Sequence, residues 1–188
     1  MRFFLIRVIT IITGVLITLS VPVVVYAQAS GGAVLTLIPS AVSIGIGKNF
    51  TIQVSVDSST AFNSASAKLT FDKDLLSVQT VSKASSALSL WAVEPSSSNA
   101  DGTINFEGGN TTPLSGKKTL LTITFKTLKE GSAKVEFSGA SVLAADGKGT
   151  DIAGAKNPAE FTITAGSADT KTPPSPADPS PLDRKSVV

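Results

Sequence analysis

The stretch from Asn63 to Val81, NSASAKLTFDKDLLSVQTV, carries the clearest strand pattern of the chain. In its first half, small or apolar side chains alternate with polar ones. The small or apolar set is Ala65, Ala67, Leu69 and Phe71, and the polar set is Ser64, Ser66, Lys68 and Thr70. A period of two over this length predicts a β-strand with one buried and one solvated face. Asp72 is expected to end the strand, with its side chain accepting a hydrogen bond from an amide about two residues on.

Other short segments of extended or alternating pattern precede and follow this one, separated by turn residues. They are residues 33–39, 50–56, 78–81, 83–95, 103–107, 119–128, 133–137, 140–143 and 160–164. Residues 96–102 are predicted to form a polar loop, and Gly108-Gly109 a bend or a bulge. About nine short strands at this spacing, with no sustained helical period, predict an all-β fold. We expect an antiparallel β-sandwich of about nine strands, of the jelly-roll or immunoglobulin-like kind.

The alternation also predicts which side chains form the core of the sandwich. In residues 119–128, Leu121, Ile123 and Phe125 share one face and Leu120 lies on the other. The predicted core residues are Leu69, Phe71, Ile104, Phe106, Ile123 and Phe125.

The composition argues against an enzyme. The chain has no Cys and no His, and its only Met and Tyr are Met1 and Tyr26, near the N-terminus. The thiol nucleophile, the usual general base and the commonest metal ligand are therefore absent. We expect no catalytic residues, no metal and no cofactor. Residues 146–151 (DGKGTD) resemble a calcium loop only superficially, because they lack the alternating ligands and closing Glu of an EF-hand, and a polar turn is expected there.

The net charge of +2 does not indicate a polyanionic partner. Four of the 16 basic residues lie in the terminal segments, namely Arg2, Arg7, Arg184 and Lys185, and the rest of the chain is nearly neutral. No basic stripe is available to follow a nucleic-acid backbone or an anionic membrane surface. Neither partner is expected.

The two ends of the chain differ in composition from its middle. Residues 1–29 have the three parts of a secretory signal peptide, ending in Ala27-Gln28-Ala29; an uncleaved signal anchor is the alternative. Residues 30–165 are expected to form the sandwich, and residues 166–182 a Pro-, Ser- and Thr-rich disordered linker. Residues 183–188 back-translate to a sequencing adapter, so we interpret them as an artefact that replaces the native C-terminus and any anchor. A secreted protein, anchored at the cell surface or free, is expected.

The motifs of the middle segment resemble those of cohesin modules, the β-sandwich receptors of bacterial cellulosome scaffoldins. The resemblance begins with the alternating strand and the Phe71-Asp72-x-x-Leu75-Leu76 pattern that follows it. It continues through residues 102–109 (GTINFEGG), 120–125 (LLTITF) and 140–143 (ASVL), and covers roughly residues 33–164. This likeness implies a non-catalytic module that binds a dockerin-like protein as a scaffold or adhesion unit.

The resemblance also implies where a partner would bind. In dockerin-binding cohesins the solvated face of the third strand carries an Asn-x-Asp pair, and the matching positions here are Ser64 and Ser66. Because two hydroxyls replace an amide and a carboxylate, the partner is not expected to be a standard dockerin. The predicted partner-binding residues are Ser64, Ser66, Lys68, Thr70, Thr103, Asn105 and Glu107. An ordinary solvated face is the alternative.

Two rival functions remain open at this point. Trp91 is the only Trp in the chain and could stack on a sugar, which would make this a carbohydrate-binding module for polysaccharide. The alternative for Trp91 is a half-buried packing residue at a sheet edge, because large rings are mostly buried. A purely structural surface domain is the third possibility.

Overall fold

The structure is a computed structural model that describes residues 32–165, all strand, turn or loop. The expected signal peptide, linker and C-terminal artefact, residues 1–29, 166–182 and 183–188, lie outside the described residues. The strands are β1 Ala33–Ile38, β2 Ala41–Gly45, β3 Asn49–Phe71, β4 Leu76–Ser82, β5 Leu90–Ser98, β6 Thr103–Thr127, β7 Gly131–Ala144, β8 Ala153–Asn157 and β9 Ala159–Thr164. Residues 32–165 include no helix long and apolar enough to cross a membrane.

Two long strands, β3 and β6, organise the molecule. They pair antiparallel over nearly their whole length, from Asn49↔Lys126 to Thr70↔Thr103. The first half of β3 also pairs with β1, and its second half pairs with β7. Likewise, the first half of β6 pairs with β5 and its second half with β4. Each long strand therefore takes part in both layers of a sandwich, and a single hydrogen-bonded sheet curls over on itself.

The six predicted core residues are confirmed. All are at most 7% exposed and belong to one cluster of buried side chains. The cluster joins the two layers, since Phe71 at the end of β3 meets Phe125 near the end of β6 with ring centroids 5.3 Å apart. Phe125 also stacks on Phe50, at 5.7 Å. Apolar side chains on alternate residues of β1, β3, β4, β6, β7 and β9 thus form one continuous core.

The predicted all-β sandwich is confirmed, with nine strands among residues 32–165, but two of the pairings are parallel. β1 pairs parallel with β8, and β2 pairs parallel with β9. Neither β2 nor β8 follows from the sequence pattern, because both are five residues long and mostly exposed. Alternation reports which face of a strand is buried, and it carries no information about the direction of the neighbouring strand.

Several predicted boundaries are wrong, and β-bulges explain two of these errors. Leu120 was expected to face away from Leu121, yet both are fully buried, because a register shift beside Leu120 adds an extra residue to β6. A second shift, between the pairs made by Lys68 and Leu69, lets β7 continue through residues 138–139 as one strand. Residues 96–98, predicted to be loop, extend β5.

Asp72 ends β3 as expected, but its side chain has a different hydrogen-bond partner. Asp72 Oδ2 accepts a hydrogen bond from the backbone N–H of Lys134 in the neighbouring strand, at 2.9 Å. The local turn is made by its backbone carbonyl instead, which accepts from the amides of Leu75 and Leu76. Asp72 therefore also ties the end of β3 to the start of β7.

Candidate functional site

Four strand segments form a sheet whose outer surface we call the four-strand face. In order across the sheet they are residues 90–98 of β5, 103–109 of β6, 64–70 of β3 and 136–143 of β7. The inner surface of the sheet carries Ala65, Ala67, Leu69, Ile104 and Phe106, which are all buried in the core. The side chains between them in sequence therefore point outward, away from the core.

The four-strand face includes all seven residues predicted as the partner-binding site. Cross-strand register pairs Ser66 with Glu107, Lys68 with Asn105 and Thr70 with Thr103, while Ser64 lies opposite Gly109. Lys68, Asn105 and Glu107 are exposed, and the two Ser and two Thr residues are half-buried between neighbouring side chains. Residues from two separate stretches of sequence thus form one contiguous polar surface.

Sequence reasoning predicted extended segments at residues 83–95, 133–137 and 140–143 but did not place them in this face. On β7, Leu143, Ser141 and Glu136 lie opposite Ser64, Ser66 and Thr70, respectively. On β5, Leu90 lies opposite Gly109 and Val93 opposite Glu107.

Bulges break the period of two in both outer strands, so alternation did not predict which of their side chains lie on this face. The register of β5 shifts twice, between Trp91 and Val93 and again between Val93 and Ser96. The alternation of Ser141 and Leu143 was the signal that could have placed residues 140–143 on this face.

Short hydroxyl side chains make the middle of the face flat. Ser64 Oγ donates a hydrogen bond down to the carbonyl oxygen of Gly108, at 3.1 Å. Ser96 Oγ donates to Asn105 Oδ1 at 3.0 Å, which links β5 to β6 across the surface. Such side chains lose little conformational entropy when a partner immobilises them. The centre of the face is therefore suited to close contact with another protein.

Lys68 and Glu107 are the charges available to a partner on the two central strands. Among the described residues, neither takes part in an ion pair. Glu136, at the border of the face, is already paired with Lys134, 2.5 Å away. The hydrogen bond with Glu136, together with its negative charge, raises the pKa of Lys134 above the ordinary lysine value. The uncompensated charges are thus one positive and one negative group at the centre.

Trp91 lies beside the four-strand face rather than on it. It sits opposite Gly108 in the edge strand β5, half-buried, with its ring 6.4 Å from that of Phe106 in an edge-on arrangement. Lys83 Nζ lies 5.5 Å from the centre of the indole ring and also pairs with Glu94. A sugar that stacked on this side of the ring would have to displace Lys83.

The loop of residues 146–151 satisfies its own acidic side chains. Asp146 accepts hydrogen bonds from Thr150 Oγ1 at 2.6 Å and from the amide of Lys148 at 2.9 Å. These bonds, the one from Thr150 foremost, lower the pKa of Asp146. The amides of Ala153 and Val142 likewise lower the pKa of Asp151. Residues 32–165 contain no cluster of three or more His, Cys, Asp or Glu that could hold a metal ion.

The comparison with protein families matches most of this chain. A family model described as Cohesin domain matches residues 35–164, which include every strand that contributes to the four-strand face. The comparison with curated proteins found no match.

Three of the solved structures of similar fold are of cohesins from an archaeon and from two Clostridium species. A non-cellulosomal cohesin from the hyperthermophilic archaeon Archaeoglobus fulgidus is 17% identical, with a TM-score of 0.59, over 71% of this chain and 92% of that one. A cohesin module from a family 33 glycoside hydrolase of Clostridium perfringens is 12% identical, with a TM-score of 0.56, over 72% and 97%. The cohesin–dockerin complex Coh-OlpA–Doc918 from Clostridium thermocellum is matched at 12% identity and a TM-score of 0.57, over 71% and 99%. Identities this low show a shared fold and no more.

Proposed function

The chain belongs to the cohesin family, and on that premise we propose that it binds a dockerin-type protein through the four-strand face. Cohesin domains are non-catalytic binding modules. Two of the solved structures of similar fold are cohesins in complex with dockerins, one from Acetivibrio cellulolyticus and one from Clostridium thermocellum. The observation that carries the proposal is the register that brings Ser64, Ser66, Lys68, Asn105 and Glu107 onto one flat, polar surface.

The partner we propose differs from a standard dockerin. Neither Ser64 nor Ser66 can supply the charge-assisted hydrogen bonds of an Asn-x-Asp pair. In addition, Ser64 Oγ already donates to the carbonyl of Gly108. The partner must therefore gain its affinity from other groups on this surface.

We further propose that binding takes place outside the cell. The hydrophobic leader of residues 1–29 supports export, and the Pro-rich segment of residues 166–182 supports a spacer that holds the domain away from an attachment point. Fractionation of the source cells, with antibody against the domain, tests this. Retention of the protein in the cytoplasm would contradict it.

The experiment that tests the binding surface uses the full chain and a panel of immobilised dockerin modules of diverse sequence, with soluble polysaccharides alongside. We expect at least one dockerin to bind. Ser66→Arg, which adds a long side chain at the centre of the four-strand face, is expected to weaken this binding at least tenfold, or about 1.4 kcal/mol. Its thermal midpoint should stay close to that of the unaltered chain, because Ser66 lies outside the core.

Gln53→Arg is the matched control. Gln53 also points outward from β3 and is exposed, but it lies in the other half of that strand, between the buried Ile52 and Val54 of the opposite layer. The proposal predicts unchanged binding for this variant. Binding to no dockerin, or equal binding by Ser66→Arg and the unaltered chain, would overturn it. Polysaccharide binding that is lost on replacing Trp91 would favour the carbohydrate-binding alternative.

A further inference from the structure

Two segments of the chain match the Asn-x-Ser/Thr pattern of an N-glycan acceptor. They are residues 49–51 (Asn-Phe-Thr) and residues 110–112 (Asn-Thr-Thr). The pattern is short, so by itself it does not select a site, and a glycan also requires a place at the protein surface. The structure describes both segments and places their asparagines in different surroundings, which makes a choice between them possible.

The first pattern lies at the surface, where the chain enters β3. Asn49 follows the turn at residues 46–47 and is exposed. Phe50 packs inward against the core, with its ring centroid 4.8 Å from that of Phe161. Because side chains alternate along a strand, Asn49 and Thr51 both point outward. The amide and the hydroxyl of the pattern therefore share one solvated surface.

The side chain of Asn49 is available for modification. The neighbouring hydrogen bonds use the backbone amide of Lys48 and the hydroxyl of Thr51. Within residues 32–165, the exposed side chain of Asn49 itself takes part in no hydrogen bond. A sugar on its amide nitrogen would therefore project into solvent without breaking a contact of the fold.

Asn110 is held in place by both ends of its amide group. Its Nδ2 donates a hydrogen bond to the carbonyl oxygen of Ala87 at 3.1 Å, and its Oδ1 accepts one from Ser89 Oγ at 3.0 Å. These bonds fix residues 87–89 against β6, and Asn110 is itself half-buried. A bulky group on Nδ2 would crowd this segment and put these hydrogen bonds at risk. We therefore expect no glycan at Asn110.

Asn49 also lies on the layer opposite to the four-strand face. Its cross-strand neighbour is Lys126, in the half of β6 that pairs with β4. The four-strand face uses other parts of the same strands, residues 64–70 of β3 and 103–109 of β6. Because the outward side chains of the two layers of a sandwich point in opposite directions, a glycan at Asn49 would leave the four-strand face open to a partner.

We propose that Asn49 is the acceptor of an N-linked glycan in the exported protein. The co-substrate is an oligosaccharide that is joined through a diphosphate to a membrane lipid. The Asn49 amide nitrogen bonds to the anomeric carbon of the first sugar and loses one proton. The bond from that carbon to the diphosphate oxygen breaks, and the lipid diphosphate leaves. The inference rests on the proposed export of the chain, since the pattern is an acceptor in secreted proteins.

The test uses the full chain recovered from the source cells and their medium. Trypsin places the two patterns in separate peptides, because Lys68 and Lys83 lie between them. Mass spectrometry, with fragmentation that preserves side-chain modifications, then identifies the residue that carries the sugar. We expect a glycan on Asn49 and an unmodified Asn110.

Two substitutions of Thr51, expressed in the same cells, test whether the pattern itself is recognised. Thr51→Val removes the hydroxyl but keeps the shape of the side chain, and it should abolish the modification. Thr51→Ser keeps the hydroxyl and should retain the modification. Both variants leave Asn49 in place and alter one exposed side chain, so folding should be preserved.

The possible outcomes separate this inference from the proposed export. If the chain is exported and Asn49 carries no sugar, the inference is overturned and the proposed export stands. A glycan on Asn110, or one on Asn49 that persists in Thr51→Val, would also overturn the inference. If the chain stays in the cytoplasm and is unmodified, the proposed export and the inference both fall.

Discussion

Replacing Phe106 by Ala tests the packing on which the four-strand face rests. Phe106 is 2% exposed and lies on the inner surface of β6, between the outward-facing Asn105 and Glu107. Its removal should cost about 3–5 kcal/mol of unfolding free energy, the usual range for a buried Phe. We expect the low end of that range, because its neighbour Trp91 is only half-buried and can move to fill part of the cavity.

Phe125→Ala provides the internal comparison. Phe125 is fully buried, and its ring contacts those of Phe50 and Phe71, with centroids 5.7 and 5.3 Å away. Because two neighbouring rings would both have to move to fill the cavity, we expect little relaxation around it. The loss of unfolding free energy should therefore lie near 5 kcal/mol. For a domain of about 130 residues, the two substitutions should lower the thermal midpoint by about 10 and 15–20 °C, respectively.

Equilibrium unfolding in urea measures both values. Trp91 is the only Trp, so its fluorescence reports on the β5–β6 edge, while far-UV circular dichroism reports on the sandwich as a whole. Coincident transitions from the two probes would support two-state unfolding and permit the free energies to be compared. A loss below about 1 kcal/mol for Phe106→Ala, or a larger loss there than for Phe125→Ala, would refute the packing argument.

Three further predictions concern a close backbone approach, a titrating carboxylate and the absence of catalysis. Gly108→Ala should destabilise the domain by about 1–3 kcal/mol in urea unfolding, because the new Cβ would lie 2.9 Å from both the carbonyl oxygen of Leu90 and the indole of Trp91; unchanged stability would contradict this. Asp151 has a lowered pKa in the folded state, so its stabilisation is complete above the unfolded pKa of about 3.9 and is lost as the pH falls through the folded pKa. The thermal midpoints of Asp151→Asn and the unaltered chain should therefore differ at pH 7 and converge below pH ~4, and a constant difference would be inconsistent with this linkage. The purified chain should hydrolyse no polysaccharide, and turnover that survives repurification but disappears in Glu107→Gln would show otherwise.

The sequence was sufficient to predict the buried and solvated faces of the central strands. Leu69, Phe71, Ile104 and Phe106 alternate without interruption, and each is buried as expected. The same alternation placed the polar residues of both central strands on the outside. That they share one surface follows from the pairing of β3 with β6, which the family resemblance implied and periodicity alone could not give.

The parts that could not be predicted are those where strands pair irregularly. A bulge turns Leu120 inward beside Leu121, and two register shifts in β5 conceal that Leu90 and Val93 face outward. Both effects depend on the partner strand, which is distant in sequence. Because of these shifts, a period of two did not predict that Leu90 and Val93 are exposed beside the face. It did predict the outward-facing polar residues of β3 and β6.

Lysine labelling of the complex tests the location of the binding surface most directly. Lys68 is exposed at the centre of the four-strand face, whereas Lys117 and Lys126 are exposed on the half of β6 that belongs to the opposite layer. With a bound dockerin module, mass spectrometry after brief acetylation should show Lys68 modified at least several-fold more slowly than in the free chain, with Lys117 and Lys126 unchanged. Equal modification of Lys68 in the free and bound chains, with protection of Lys117 or Lys126 instead, would place the partner on the other layer and contradict the account.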